Sequence, residues 1–191
     1  MMFALRYATP QQWAEIVTAD MAGFLPDHAS AEYKASGMAL SMSLHYKDKP
    51  DLVTAMVDLA IEELSHFREV IKVMQDQGLT LQKDTPDAYV NGLRQQLRKG
   101  SEAYFLDRLL VGAVIEARGA ERFGLVADTL PEGSLKAFYT RITRSEERHY
   151  ELFLTLADRY FPAPEIDQRL DQLLDTEAAL VADLPLRVAL H

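Results

Sequence analysis

The segment LAIEELSHFREVIKVM (residues 59–74) carries apolar residues at helical spacing, at Ala60, Phe67, Val70 and Met74, and the stripe begins upstream at Met56. Glu63 interrupts that stripe, and His66 lies three residues further on, on the same side of a helix. An unpaired ionised carboxylate in a core is prohibitively costly, so something must compensate it.

Working outward, the same interruption recurs on three more helical patterns. Leu135, Phe138 and Ile142 lead to Glu146 and His149, then Phe153, Leu156 and Tyr160. Phe105, Leu109 and Gly112 lead to Glu116, then Ala120 and Phe123. Leu25 and Ala29 lead to Glu32, then Ala35 and Ala39. A glutamate followed about thirty residues later by Glu-x-x-His thus occurs twice. With 14 glutamates and 5 histidines, roughly 0.4 such Glu-x-x-His pairs arise by chance, so two, each inside a core stripe, carry information.

Prolines and glycines set the limits of these patterns, and no strand alternation is evident. Thr9-Pro10 opens a short helix to about Met21, and Pro26 starts a second one that runs to about Tyr46. KDKPD (residues 47–51) turns the chain into a third helix, from about Pro50 to Gln77, which stops at Gly78. Residues 79–100 connect, with a small helix from Pro86 to Lys99. Ser101 caps a long helix to Thr129, Pro131 begins another that ends near Phe161, and a last one covers about Glu165 to Ala182. The order long–long, crossover, long–long predicts an all-α chain, a ferritin-like four-helix bundle with a long crossover and additional short helices. The reading is one domain over residues 1–191, with its core bundle at about 26–161.

Counting from the turns, Glu32 and Glu63 lie 16 and 15 residues from Asp48, and Glu116 and Glu146 lie 14 and 16 from Leu130. At ~1.5 Å per residue the members of each pair fall at nearly equal depth. Four carboxylates neutralise two divalent cations, and imidazoles fill further positions. A mixed oxygen–nitrogen set favours iron or manganese over a closed structural zinc site. The competing explanation is buried salt bridges to Arg118, Arg122 or Arg148, which leaves most of these acids without a cation on the same face. Glu121 is rotated ~140° from Glu116 and reads as a partner of Arg118. His28, one turn before Glu32, reads more readily as an interior or rim histidine than as a partner of Glu32. His45 and His191 read as solvated. Arg141, Arg144 and Arg148 on one helix, and Arg94, Arg98 and Lys99 on the crossover, read first as solvated charge and second as phosphate contacts.

Composition narrows the function classes. The 191 residues carry 29 acids and 20 bases, a net charge of −9, which disfavours broad nucleic-acid coating and leaves room for a small basic patch. Absence of cysteine excludes disulfides, zinc ribbons, iron–sulfur clusters and thiol nucleophiles, and fits a reducing cytoplasm. Leu109–Ile115 is far shorter than the ~20 residues of a membrane span, and MMFALRYATP lacks the pattern of a secretory leader.

The words HASAEYKAS (residues 28–36), EELSHFREV (62–70), IEARGAERF (115–123) and SEERHY (145–150) resemble the bacterial MiaE-type tRNA hydroxylases, over about residues 22–160. The resemblance implies a non-haem di-iron monooxygenase that uses dioxygen as co-substrate to hydroxylate the isopentenyl side chain of 2-methylthio-isopentenyladenosine in tRNA. Every ligand position of that pattern is occupied, by Glu32, Glu63, His66, Glu116, Glu146 and His149. Phe67, Leu109, Phe138 and Ile142 would suit an isoprenoid tail. No Gly-rich dinucleotide fingerprint is present, so electrons would come from a separate reductase or ferredoxin. The alternative on the same fold is a ferritin-like iron-binding or ferroxidase protein.

Overall fold

The computed structural model describes residues 3–83 and 85–191. Met1 and Met2, which open the stretch read above for a leader, and Asp84 in the crossover lie outside the described residues. Among these, seven helices and no strand occur: α1 (Gln11–Ala19), α2 (Met21–His45), α3 (Pro50–Asp76), α4 (Ala88–Arg94), α5 (Ser101–Thr129), α6 (Ser134–Tyr160) and α7 (Ala163–Asp183). None of them is long and apolar enough to cross a membrane. The chain divides into two compact units.

The first unit spans Ala19–Thr85 with Val188–Leu190, and its body is the α2–α3 hairpin. The short turn after Tyr46 makes the helices antiparallel, and Pro50 occupies the first turn of α3, where its missing N–H costs nothing. Gly78, at φ 70°, ends α3 as the stripe predicted. Leu79 N–H donates to Met74 O at 2.8 Å and Gly78 N–H to Gln75 O at 3.0 Å, so a left-handed residue closes the last carbonyls. Helix α2 starts five residues before the predicted Pro26. The Asp20 carboxylate accepts from Gly23 N–H at 2.9 Å and anchors the first turn, so Pro26 forfeits one backbone bond without stopping the helix.

The second unit holds the residues up to Thr18, Pro86–Arg187 and His191. Helices α5 and α6 pack along their lengths, with α7 and α4 against them. A Cβ on Gly112 would lie 2.9 Å from Phe153 Cε1, so this glycine is what lets α5 and α6 approach one turn before Glu116. Three predicted boundaries shift. Gly100, not Ser101, precedes α5, because Tyr104 N–H already takes the Gly100 carbonyl at 2.8 Å. Helix α6 begins at Ser134, not Pro131, with Ala137 N–H bonded to Gly133 O. Helix α4 is only Ala88–Arg94, started by the Asp87 carboxylate accepting from Val90 N–H at 3.0 Å.

Candidate metal centre

Helix periodicity puts Glu32, Glu63, Glu116 and Glu146 on core faces, and all four are buried, as are His66 and His149. Within the α2–α3 unit, His66 Nδ1 lies 3.5 Å from Glu32 Oε2 and 3.4 Å from Glu63 Oε2. Within the α5–α6 unit, His149 Nδ1 lies 3.8 Å from both Glu116 Oε2 and Glu146 Oε2. Donors around one cation at ~2.1 Å are spaced about 3 Å apart, so each cluster of two carboxylates and one imidazole is close to a ligand arrangement. The donor chemistry fits as well. Oxygen and nitrogen donors without sulfur suit iron or manganese, and two anionic carboxylates per cluster balance one divalent charge. The six ligand residues read from the sequence therefore fall into two triads, one per unit.

The electrostatics of the first triad follow from its neighbours. Burial raises the Glu32 carboxyl, but the His28 and His66 imidazoles outweigh it and hold Glu32 well below the usual carboxylate range. Burial lowers His66, while Glu32 and Glu63 outweigh it and push the ring up to about 9. A cation entering this triad would take over the stabilisation that the proton now supplies.

His28 differs from its expected role. It is fully buried, and its Nε2 lies 2.6 Å from Glu32 Oε1, leaving Oε2 toward His66. The i, i+4 spacing was the available signal, outweighed by how commonly a lone histidine is simply packed. His191, read as solvated, is half-buried with its side chain covered: Nδ1 lies 3.0 Å from Asp87 Oδ2, and the ring stacks on Tyr89 at 4.6 Å. Only the folded position of the chain end brings these groups together. His45 is exposed, as read.

The arginines proposed as rival partners are engaged elsewhere. Arg118 is fully buried and binds Glu177 through Nε at 2.8 Å and Nη2 at 3.0 Å. It also reaches Tyr7 O and Thr9 Oγ1, and it pairs with Glu121 as the sequence indicated. The Arg122 guanidinium lies 5.1 Å over the Trp13 ring. Arg148 donates to Arg144 O and to Ser145 Oγ. Arg98, grouped with possible phosphate contacts, instead binds the buried Asp107, which Arg169 also holds. Arg94, Lys99, Arg141, Arg144 and Arg148 remain exposed. Leu109, Phe138 and Ile142 are buried, and Phe67 is half-buried.

Comparison with known proteins gives this arrangement a class. A solved structure, "Protein 43 with aldehyde deformylating oxygenase activity from Synechococcus", matches with a TM-score of 0.94 at 34% identity, covering 100% of this chain and 96% of that one. The fold is all-α and ferritin-like, of the di-iron oxygenase kind. A tRNA 2-(methylsulfanyl)-N(6)-isopentenyladenosine(37) hydroxylase of Pseudomonas putida is 36% identical over 173 residues, 91% of this chain and 84% of the relative. The protein of the same name from Salmonella typhimurium is 38% identical over 130 residues, 68% of this chain and 47% of that protein. The family model described as tRNA-(MS2IO6A)-hydroxylase (MiaE) matches residues 1–191. The chain belongs to the MiaE family, and it is an enzyme, a tRNA hydroxylase of the oxidoreductase class.

Proposed function

We propose that this chain is a non-haem di-iron monooxygenase that hydroxylates the isopentenyl side chain of 2-methylthio-isopentenyladenosine in tRNA. The observation that carries the reading is the duplicated triad, Glu32–Glu63–His66 and Glu116–Glu146–His149, in a chain of this family. The six residues would hold two iron ions, and residues 1–191 would act as a single domain. Bound iron would supply the activation of dioxygen and the oxidation of a C–H bond. Four carboxylates offset the charge of two ferrous ions, and His28 keeps one Glu32 oxygen engaged so that the other is presented toward His66. Buried Leu109, Phe138 and Ile142 and half-buried Phe67 offer apolar surface to a prenyl group and exclude water.

Two external electrons are needed for each oxygen inserted, and a separate reductase or ferredoxin would deliver them. Exposed Arg141, Arg144 and Arg148 on α6 would meet phosphates, so tRNA binding would weaken with salt despite the acidic total. A tRNA substrate and a cysteine-free chain support a cytoplasmic setting for the reaction.

The test is mass spectrometry of nucleosides from isopentenylated tRNA after incubation with iron-loaded, reduced protein and dioxygen. One added oxygen is the expected product, lost in Glu116→Ala and His149→Ala. Unchanged yield in those variants would remove the assigned ligands. Iron oxidation without tRNA turnover would favour the ferroxidase reading.

A further inference from the structure

On α2, Tyr33, Leu40 and Leu44 are exposed, Tyr33 by 62% and Leu44 by 77%. On α3, Val57, Ile61 and Leu64 are exposed, Ile61 by 61%. The spacings, 4-3-4 through Gly37 on α2 and 4-3 on α3, hold each set within a stripe about 60° wide. Two contacts register the stripes. Ser36 Oγ donates to Ala60 O at 2.8 Å, and the Tyr33 and Phe67 rings lie 5.7 Å apart. Because the helices are antiparallel, Tyr33 stands level with Leu64, Gly37 with Ile61 and Leu40 with Val57. The hairpin thus carries one continuous apolar face outside its own core. The six side chains leave on the order of 600 Å² open, at the upper end of the ~300–600 Å² that the largest patch of a monomer reaches and approaching the ~800 Å² per partner of a standard interface.

We infer that this face is a homodimer interface, occupied by the same face of a second copy. The α2 stripe is symmetric about the midpoint between Met38 and Ala39: Tyr33 mirrors Leu44, and Gly37 mirrors Leu40. A two-fold axis through that point sets an antiparallel copy so that each Leu40 lies over the other copy's Gly37, and Tyr33 meets Leu44. Gly37 is suited to receive a side chain, since a Cβ built there meets nothing within 4 Å. Large against small at the axis, with an aromatic against leucine at both ends, is self-complementary as a two-fold contact demands.

Sedimentation equilibrium of the full chain from about 1 to about 100 μM tests it. A reversible dimer is expected. Leu40→Glu and Ile61→Glu each weaken it at least tenfold, with helical circular dichroism and Tm retained because both positions are exposed. Gly37→Leu fills the recess without adding charge and also weakens the dimer. A chain that stays monomeric throughout, or a dimer indifferent to all three substitutions, overturns the inference. So does a monomer whose binding of tRNA or of a reductase is abolished by Leu40→Glu, which assigns the face to that partner.

Discussion

His28 stands one helical turn before Glu32, and its Nε2 lies 2.6 Å from Glu32 Oε1 inside the α2–α3 unit. The bond fixes which carboxylate oxygen faces His66. Loss of a group that orients a metal ligand in this way typically costs ~10–100-fold in metal affinity.

Replacing His28 by Ala leaves a buried carboxylate oxygen without this donor. The expected cost is about 1–3 kcal/mol of stability and ~10–100-fold in iron affinity. Urea unfolding and anaerobic Fe(II) titration measure the two. His28→Gln, which retains a donor, should recover part of the affinity. Wild-type affinity in His28→Ala would show that the bond does not position Glu32.

Arg118 and Glu177 are both fully buried and joined by two hydrogen bonds. Glu177 also accepts from Tyr89 Oη at 3.1 Å. Removing one partner strands a buried charge, so Arg118→Met and Glu177→Leu should each cost about 3–5 kcal/mol. The double variant should cost less than the sum, because neither charge is then left unpaired. Additive losses in denaturant unfolding would contradict the pairing.

Gly112→Ala pushes a methyl against Phe153 in the tight approach of α5 and α6. A loss of about 1–3 kcal/mol is expected, partly relieved by Phe153→Leu. The measurement is the shift in Tm of the single and double variants. No shift in the single variant would mean that the two helices separate at little cost.

Asp107 is buried beneath the guanidinium groups of Arg98 and Arg169. Burial raises its carboxyl, but the bonds from Arg98 and Arg169 outweigh it and hold Asp107 below its ordinary range. Both arginines keep their charge through the acid range, so the titration belongs to the carboxylate. A carboxylate depressed on folding stabilises the protein above its unfolded value of about 4, and that contribution disappears as pH falls through the lower folded value. Stability measured against pH should therefore fall less on the acid side in Asp107→Asn than in the wild-type chain. Parallel curves would exclude the pair as a source of acid sensitivity.

Much of this was legible from spacing alone. Glu63 and His66 on one face of α3, and Glu146 and His149 on one face of α6, follow from 3.6 residues per turn, and both pairs lie together in the fold. Gly78 as the end of α3 follows from the freedom of glycine at positive φ. The misread starts of α2 and α6 have local causes as well. Asp20 outranked Pro26 because an N-cap satisfies a donor while proline only removes one, and Gly133 postponed the helix that Pro131 could have opened.

Periodicity within each helix determined, without any folded structure, the helical class, the four buried glutamates and their two histidines. A helix places its own neighbours by covalent geometry, and burial of an apolar stripe then selects the inward face. Contacts between residues far apart in the chain obey no such local rule. The union of Arg118 with Glu177, the meeting of His191 with Asp87 and the sharing of Asp107 by Arg98 and Arg169 were decided only by tertiary packing. In each, burial made an unpaired polar group too costly, and the fold brought a partner from another segment.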